Sequence, residues 1–149
     1  MPKASVNRSI ICNKEQLIDL VLDIEKYPSF VPFCLQAKVH ERKDKGDFLT
    51  IVADLTIGKG PFQDTYKSHV KLNKKEDSIY VTNMDGPLKH LENTWKFKEE
   101  NKITVVSFEI DFEVKNDFLN IVMTKSFQYG LDKIADAFQK RAEELFSKT

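Results

Sequence analysis

Apolar and polar residues alternate through the middle of the chain, with the period of half-buried β-strands. Between residues 35 and 114 six such segments follow one another, separated by turn residues such as the Asp-Lys-Gly-Asp of residues 44–47. In the first segment Leu35, Ala37 and Val39 share the inward parity. A less regular alternation at residues 4–10 predicts another strand. We therefore expect seven strands, with an antiparallel meander after the first.

Helical spacing interrupts this pattern before the meander. After Asn13, a residue type that caps helices, apolar residues recur at steps of three and four. Pro28 and Pro32 end any long helix, because proline lacks the amide hydrogen that an inner turn needs. The segment Tyr27–Cys34 is therefore expected to form a short turn or a single helical turn.

A second helical pattern closes the chain. About thirty residues without proline follow Asn116, another capping residue type. Apolar residues from Phe118 to Leu145 recur at steps of three and four, which predicts one long amphipathic helix. Gly130, in its middle, costs about 1 kcal/mol relative to alanine. We expect it to mark either a close approach or a bend.

The order of elements predicts the fold class. A strand, one or two short helices, six strands and a long helix follow one another, and no repeat or linker divides residues 1–149. We predict a single α+β domain in which a seven-stranded curved antiparallel sheet wraps around the C-terminal helix, since the two apolar faces must bury each other. The eleven phenylalanines suit either a solid core or an apolar cavity between sheet and helix.

Charge and cysteine content narrow the classes of function. Basic and acidic residues both number 23, so no net field draws the chain onto nucleic acid or anionic lipid. Only Cys12 and Cys34 are present, which favours free thiols in an intracellular protein. No apolar run approaches the ~20 residues of a membrane span, and no signal-peptide core opens the chain. A cytoplasmic protein is expected, or an organelle protein whose presequence has been removed.

Residues that could carry catalysis or bind a metal are scattered. His40, His69 and His90 fall on three predicted strands, each on the polar parity and without a nearby Cys or His, so we predict no metal site. Asp54 lies on the polar parity of its strand. No nucleophile or acid–base constellation emerges, and we expect no enzymatic activity.

A row of lysines follows one predicted strand and its ends. The row comprises Lys59, Lys67, Lys71, Lys74 and Lys75. It could contact phosphates. The favoured alternative is a solvated strand that its lysines protect against aggregation.

Three segments carry a resemblance to a known family. They are Tyr-Pro-Ser-Phe-Val-Pro-Phe-Cys at residues 27–34, Asp-Gly-Pro-Leu-Lys-His-Leu at 85–91 running on to Trp-Lys-Phe at 95–97, and Phe-Glu-Ile-Asp-Phe-Glu-Val at 108–114. They resemble the coenzyme Q-binding START-domain family, which is polyketide cyclase/dehydrase-like and includes the bacterial RatA ribosome-association toxins. The resemblance covers nearly the whole chain. Leu88 departs from it, where many relatives carry phenylalanine.

The resemblance implies a helix-grip fold of the START/Bet v 1-like type and a non-catalytic protein that binds ubiquinone or a similar isoprenoid lipid. Such a lipid chaperone would support respiration or ubiquinone biosynthesis, with transient membrane contact and no DNA partner. The alternative is a RatA-type toxin that binds the large ribosomal subunit and blocks subunit association. The implied location is the bacterial cytoplasm, peripheral to the inner membrane, or the mitochondrial inner membrane for a processed organelle protein.

The residues expected to contact the ligand come from three parts of the chain and are all apolar or aromatic. Phe30, Val31 and Phe33 belong to the proline-braced segment near a mouth; Trp95, Phe97, Phe108, Ile110 and Phe112 line the sheet; Phe127, Leu131, Ile134 and Phe138 line the helix. Bound ubiquinone would be a ligand and not a cofactor. An aromatase or cyclase, the third alternative, needs an acid or base inside, and the inward parity offers little beyond Asp64, Tyr66 and Asn93.

Overall fold

One antiparallel sheet of seven strands carries the rest of the structure. The structure, a computed structural model, describes the backbone of residues 3–59, 62–85, 88–114 and 117–146. Side chains are described at these positions except 59, 62, 64, 84–85, 88–90, 112, 114 and 117–127. The predicted cap Asn116 lies outside the described residues.

The elements follow one another in the predicted order. The strands are β1 (Lys3–Ile10), β2 (Cys34–Asp44), β3 (Phe48–Lys59), β4 (Phe62–Asn73), β5 (Ser78–Asp85), β6 (Leu88–Glu100) and β7 (Ile103–Val114). The helices are α1 (Lys14–Leu22), a 3-10 helix (Ile24–Ser29) and α2 (Asp117–Phe146).

The sheet has the strand order β1-β7-β6-β5-β4-β3-β2, and every pairing is antiparallel. The predicted meander is therefore confirmed, and β1 adds to its last strand. Register brings apolar side chains of one parity side by side across the sheet. One such row is Val6, Phe108, Trp95, Ile79 and Leu72. This apolar inner face is the surface that the helices cover.

Helix α1 starts where the sequence predicts it. The Asn13 side chain accepts a hydrogen bond from the Gln16 amide at 2.8 Å, and the Gln16 side chain accepts one from the Asn13 amide at 3.2 Å. This reciprocal capping box satisfies two amide groups that the first helical turn leaves unpaired. The 3-10 helix that follows contains Pro28 and ends at Ser29, so proline does end helical structure in this segment.

Helix α2 has 30 residues, which confirms the prediction of one long C-terminal helix. It contacts β1, β7 and α1. The side chains of Gln128 and Gln139 donate hydrogen bonds to the Ser5 and Ser9 carbonyl groups of the edge strand β1, each at 3.3 Å. These contacts occupy an edge that another chain could otherwise extend. Among the described residues, no helix is both long and apolar enough to cross a membrane.

The prediction that Leu35 points inward is wrong. The pairing with β3 shifts between Cys34, which faces Ile57, and Gln36, which faces Thr56. This bulge moves Leu35 out of the alternation, so that its side chain is 40% exposed while Cys34 is buried. An extra residue in one strand turns the following side chains, and sequence periodicity alone does not show where that happens.

Gly130 lies within continuous α2, and a Cβ atom built there meets no atom within 4 Å. The structure therefore does not support the expected close approach. Because alanine loses less conformational freedom in a helix, we expect Gly130→Ala to raise the free energy of unfolding by about 0.5–1 kcal/mol. Urea denaturation followed by circular dichroism measures this, and a loss of stability would show that Gly130 is needed for packing.

Cys12 and Cys34 are free thiols, and both are buried. Burial raises the pKa of each to about 11, and Glu99 and Glu143 add to the effect at Cys12. Since only the thiolate reacts, native protein at pH 8 should react with a thiol reagent at least about tenfold more slowly than protein in urea. Equal rates in the two conditions would contradict the burial of these thiols.

Candidate ligand-binding site

An aromatic cluster joins the inner face of the sheet to α2. The Trp95 ring on β6 lies 4.3 Å from the Phe108 ring on β7, which is its register partner. On its other side it meets Phe138 of α2 edge-on, with 5.3 Å between ring centroids. Phe97 stacks nearly parallel to Trp95 at 6.3 Å. Alternation in two strands and helical spacing in α2 thus bring predicted ligand-binding residues into direct contact.

The proline-braced segment completes the cluster. Phe30 and Tyr27 both meet the Phe138 ring edge-on, with centroid distances of 5.2 and 5.4 Å. The Tyr27 hydroxyl donates a hydrogen bond to the Val21 carbonyl oxygen, and burial raises the pKa of Tyr27 above its ordinary value. Arg141 lies over the outer side of the Phe30 ring at 5.8 Å. One helical phenylalanine therefore ties together the sheet, the 3-10 helix and α2.

A cavity of about 20 Å³ lies beside this cluster. It is lined by Val6, Arg8, Ile10, Leu17, Trp95, Val106, Phe108, Ile134, Ala135 and Phe138. That volume holds about one water molecule, whereas ligand pockets commonly measure about 300–1,000 Å³. Beside the aromatic cluster, the space between sheet and helix is therefore almost filled by side chains.

Polar side chains interrupt the apolar inner face further along the sheet. Ser68 of β4 pairs with Asn83 of β5, and Asn93 of β6 pairs with the next inward residue of β5, Val81. The Asn93 side chain accepts a hydrogen bond from Trp95 Nε1 at 3.1 Å, which connects these residues to the aromatic cluster. Ser68 is only 1% exposed.

Sequence reasoning named Tyr66 and Asn93 on the inward parity but missed Ser68 and Asn83. The parity of β4 did contain the signal, because Ser68 alternates with the buried Val70. Ser68 pairs with Asn83 in the register that runs from Asn73 and Ser78 along the two strands, and the shift comes only after this pair, at Lys67 and Asp85. Periodicity assigns each residue to a face but does not reveal the register between strands. The third residue named there, Asp64, has a side chain outside the described ones.

The remaining predicted ligand-binding residues differ in burial. Leu131 is 3% exposed, Ile134 lines the cavity, Val31 packs against the core, and Ile110 is half-buried. Phe33 stands apart from the cluster, because its side chain is 39% exposed. Its backbone has φ 68°, a region that residues other than glycine rarely adopt. The side chains of Phe112 and Phe127 lie outside the described ones.

The lysine row lies among acidic partners on the outer face of the sheet. Lys74 Nζ is 2.8 Å from Asp44 Oδ1, and Lys75 Nζ is 3.2 Å from Asp47 Oδ2. The hydrogen bond from Lys74 holds the pKa of Asp44 below its ordinary value. These ion pairs reduce the positive potential that phosphate binding would need.

The middle of the lysine row is partnered as well. Lys71 Nζ lies over the Phe48 ring at 4.4 Å, and Lys67 faces Asp54 across the β3–β4 pair. The Lys59 side chain is outside the described ones. The geometry agrees with the favoured interpretation of the row as a solvated strand.

The histidines are separated as the sequence predicts. His40 Nε2 lies 2.7 Å from Asp54 Oδ2 on the outer face, and His69 is half-buried on another strand. The His90 side chain is outside the described ones. Among the described residues, no three or more His, Cys, Asp or Glu side chains are placed to hold a metal ion together.

A curved antiparallel sheet against a long C-terminal helix, with an aromatic cluster between them, defines a helix-grip protein of the START/Bet v 1-like type. The chain belongs to the family described as polyketide cyclase / dehydrase and lipid transport, whose model matches residues 14–139. The resemblance stated from the sequence motifs is therefore confirmed.

Two named relatives illustrate the division within this family. The mitochondrial coenzyme Q-binding protein COQ10 of Dictyostelium discoideum is 33% identical over 138 residues, which are 90% of this chain and 65% of that protein. The chain thus spans slightly less than two thirds of that relative. The ribosome association toxin RatA of Rickettsia prowazekii is 28% identical over 134 residues, 88% of this chain and 89% of that protein.

Solved structures agree on the fold. An 18 kDa protein of Caulobacter crescentus, 28% identical, superposes with a TM-score of 0.80 over 97% of this chain and 98% of its own. A START superfamily protein of Mycobacterium smegmatis also gives 0.80, at 19% identity over 96% and 98% of the two chains. The Zhui aromatase/cyclase of Streptomyces gives 0.76 at 12% identity over 95% and 93%, so the same fold occurs in an enzyme.

We expect Phe138→Ala to lower the free energy of unfolding by about 3–5 kcal/mol, because the ring contacts three other aromatic rings and its removal would leave a gap in the core. Leu145→Ala in the same helix is the control, since Leu145 is 47% exposed and should change stability by less than about 1 kcal/mol. Urea denaturation compares the two. Similar losses for both variants would contradict the central place of Phe138.

Proposed function

We propose that this protein is a non-catalytic carrier that encloses an isoprenoid lipid of the ubiquinone class between its sheet and α2. The observation that carries the proposal is the aromatic cluster of Trp95, Phe108 and Phe138, which forms an apolar seam along the path that a lipid tail would take. Each buried methylene group contributes about 0.8 kcal/mol, so burial of the tail would dominate affinity. The name of the Dictyostelium relative supports a quinone as the ligand.

A lipid tail that lies against Phe138 requires α2 to move away from the sheet, because the cavity beside the aromatic cluster measures only about 20 Å³. The polar contacts that hold α2 on β1 are weak enough to allow this. Arg8 Nη2 lies 2.9 Å from Asp136 Oδ1, but the Asp136 side chain is 69% exposed, and such ion pairs contribute about 0–1 kcal/mol. Once the helix has moved, a lipid tail would pack against the exposed aromatic rings and restore apolar packing there.

Binding without catalysis fits the chemistry of the inner face. Polar groups on the inner face include the Asn83 and Asn93 amides and the Ser68 and Tyr66 hydroxyls. The Arg8 guanidinium, which lines the small cavity, can only donate hydrogen bonds. Burial raises the pKa of Tyr66 above its ordinary value, so its hydroxyl stays neutral at physiological pH. Neutral amides and hydroxyls orient a ligand but are poor proton acceptors near neutrality.

A carrier of this kind would work through transient contact with a membrane surface. In a bacterium that surface is the inner membrane, reached from the cytoplasm, and in an organelle it is the mitochondrial inner membrane. No DNA and no cofactor enter this role, since the quinone is cargo.

The direct test is extraction of ubiquinone from phosphatidylcholine vesicles, with the protein separated from the vesicles and its lipid measured by mass spectrometry. Leu131→Trp adds apolar volume at a buried position of α2, at a cost of about 1–3 kcal/mol. We expect the folded variant to extract at least about fivefold less quinone than the parent, a loss of about 1 kcal/mol in binding.

Lys140→Trp is the matched control, because Lys140 lies on the exposed side of the same helix and the added ring should leave extraction unchanged. If Leu131→Trp is folded and extracts quinone as well as the parent does, the tail does not lie against α2. If the parent itself extracts no quinone, the carrier proposal is wrong.

The second candidate is a regulator that binds the large ribosomal subunit through its surface. The name of the RatA relatives, ribosome association toxin, supports a ribosomal partner. The observation in its favour is the extent of the match, since RatA of Escherichia coli aligns over 99% of this chain at 27% identity. The ion-paired lysine row weighs against it. Cosedimentation with large subunits in a sucrose gradient, together with absence of quinone extraction, would favour this candidate over the carrier.

A further inference from the structure

The inner face of the sheet contains a buried hydroxyl without a partner. Ser68 is 1% exposed, and its Oγ atom makes no hydrogen bond within the part of the chain that the structure describes. It occupies the inward parity of β4, next to the buried Val70, and pairs across the strand with Ala53 of β3, which is 0% exposed. Burying a hydroxyl without a hydrogen bond costs free energy, so a bound polar atom would relieve that cost.

Asn93 presents hydrogen-bond donors on the same inner face, on the second strand from Ser68, with β5 between them. Trp95 Nε1 is only a donor, so the Asn93 atom that it contacts at 3.1 Å must be the amide oxygen. The same argument orients Asn83, whose amide oxygen accepts from the Leu91 backbone amide at 2.9 Å. With its oxygen held by the indole, Asn93 directs its NH₂ group away from Trp95. The Trp95 indole therefore lies between the aromatic cluster and the hydrogen-bond donors of Asn93.

Tyr66 extends this region by one inward position along β4. Its side chain is half-buried, and its pKa lies above the ordinary value through burial, so it remains a neutral donor. Ala53 and Ser68, paired on neighbouring strands, have small side chains that take up little of the space above the inner face at this point. The inner face therefore combines small side chains and neutral polar groups here.

We propose that Ser68 and Asn93, with Tyr66 beside them, form the subsite for the headgroup of the lipid, and that they recognise ring carbonyl oxygens. This inference rests on the carrier function proposed above and adds which end of the ligand lies where. The donors match a carbonyl group, which only accepts hydrogen bonds. The isoprenoid tail then runs past Trp95 along the aromatic cluster towards Phe138. A hydrocarbon of equal length has no polar atom and would leave the Ser68 hydroxyl without a hydrogen-bond partner.

The test measures selectivity rather than total binding. The protein is incubated with phosphatidylcholine vesicles that hold equal amounts of a ubiquinone and of an isoprenoid hydrocarbon with the same number of isoprene units. Mass spectrometry of the separated protein gives the ratio of quinone to hydrocarbon. We expect the parent to favour the quinone, and Ser68→Ala to lower this ratio about fivefold, the effect of one hydrogen bond.

Two further variants make the result specific. Asn93→Asp keeps an oxygen for Trp95 Nε1 but replaces the NH₂ donors with a second acceptor, and it should lower the ratio at least about tenfold. Ser107→Ala is the control, because Ser107 lies on the opposite parity of β7 from the buried Val106 and Phe108. Its ratio should equal that of the parent.

Stability separates a ligand subsite from a packing role. Ser68→Ala removes an unsatisfied hydroxyl, so without lipid its midpoint of urea denaturation should equal or exceed that of the parent. If the parent extracts both lipids but Ser68→Ala leaves the ratio unchanged, or lowers both lipids equally, the headgroup subsite is wrong and the carrier function stands. If the parent extracts neither lipid, the carrier function fails and the subsite with it.

Discussion

The contact between Phe138 of α2 and Trp95 of the sheet is the interaction on which the rest of the structure depends. A curved sheet with one apolar face and a helix with one apolar stripe are stable only when each removes the other from water. Phe138 meets this requirement at one point by touching Trp95 of β6, Tyr27 of the 3-10 helix and Phe30 directly after that helix. The 3-10 helix, the sheet and α2 therefore share a single aromatic core.

Because the same aromatic core joins the sheet and α2, stability and ligand binding are in conflict. Close packing leaves about 20 Å³ beside the cluster, yet a lipid carrier must open the same interface. The structure separates the two demands by the type of contact. Aromatic contacts, which a lipid tail can replace, hold α2 on the inner face of the sheet. Exposed polar contacts of Arg8, Gln128 and Gln139 hold α2 on the edge strand β1. Such contacts break and form again at little cost in water.

The outer and inner faces of the sheet differ in the polar residues that they contain. On the outer face, lysines pair with carboxylates, as Lys74 does with Asp44. Positive and negative charges therefore lie close together there, and the chain as a whole has no net charge. Inside, the Arg8 guanidinium lines the small cavity and reaches Asp136 of α2, whereas the polar residues in the region that contains Ser68 and Asn93 are uncharged. A charge there would be desolvated without a partner, whereas an amide or a hydroxyl can be satisfied by one ligand atom. The interior is therefore suited to a largely apolar ligand with a small polar end.

The sequence by itself determined the elements and the faces that they bury. Alternation placed Trp95 and Phe108 on the inner face, helical spacing placed Leu131 and Phe138 on the buried stripe of α2, and Asn13 marked the start of α1, because each of these properties depends on residues close together in the chain. Only the tertiary structure decided which residues meet. The bulge that exposes Leu35 and the register that pairs Ser68 with Asn83 follow from contacts between different strands. Periodicity assigns a side chain to a face, whereas register between strands and the packing of α2 on the sheet assign its neighbours. The apolar part of the candidate site was therefore predictable from the sequence. Of the polar part, the inward parity identified Tyr66 and Asn93, whereas the neighbours of Ser68 and Asn83 depended on the pairing of the strands.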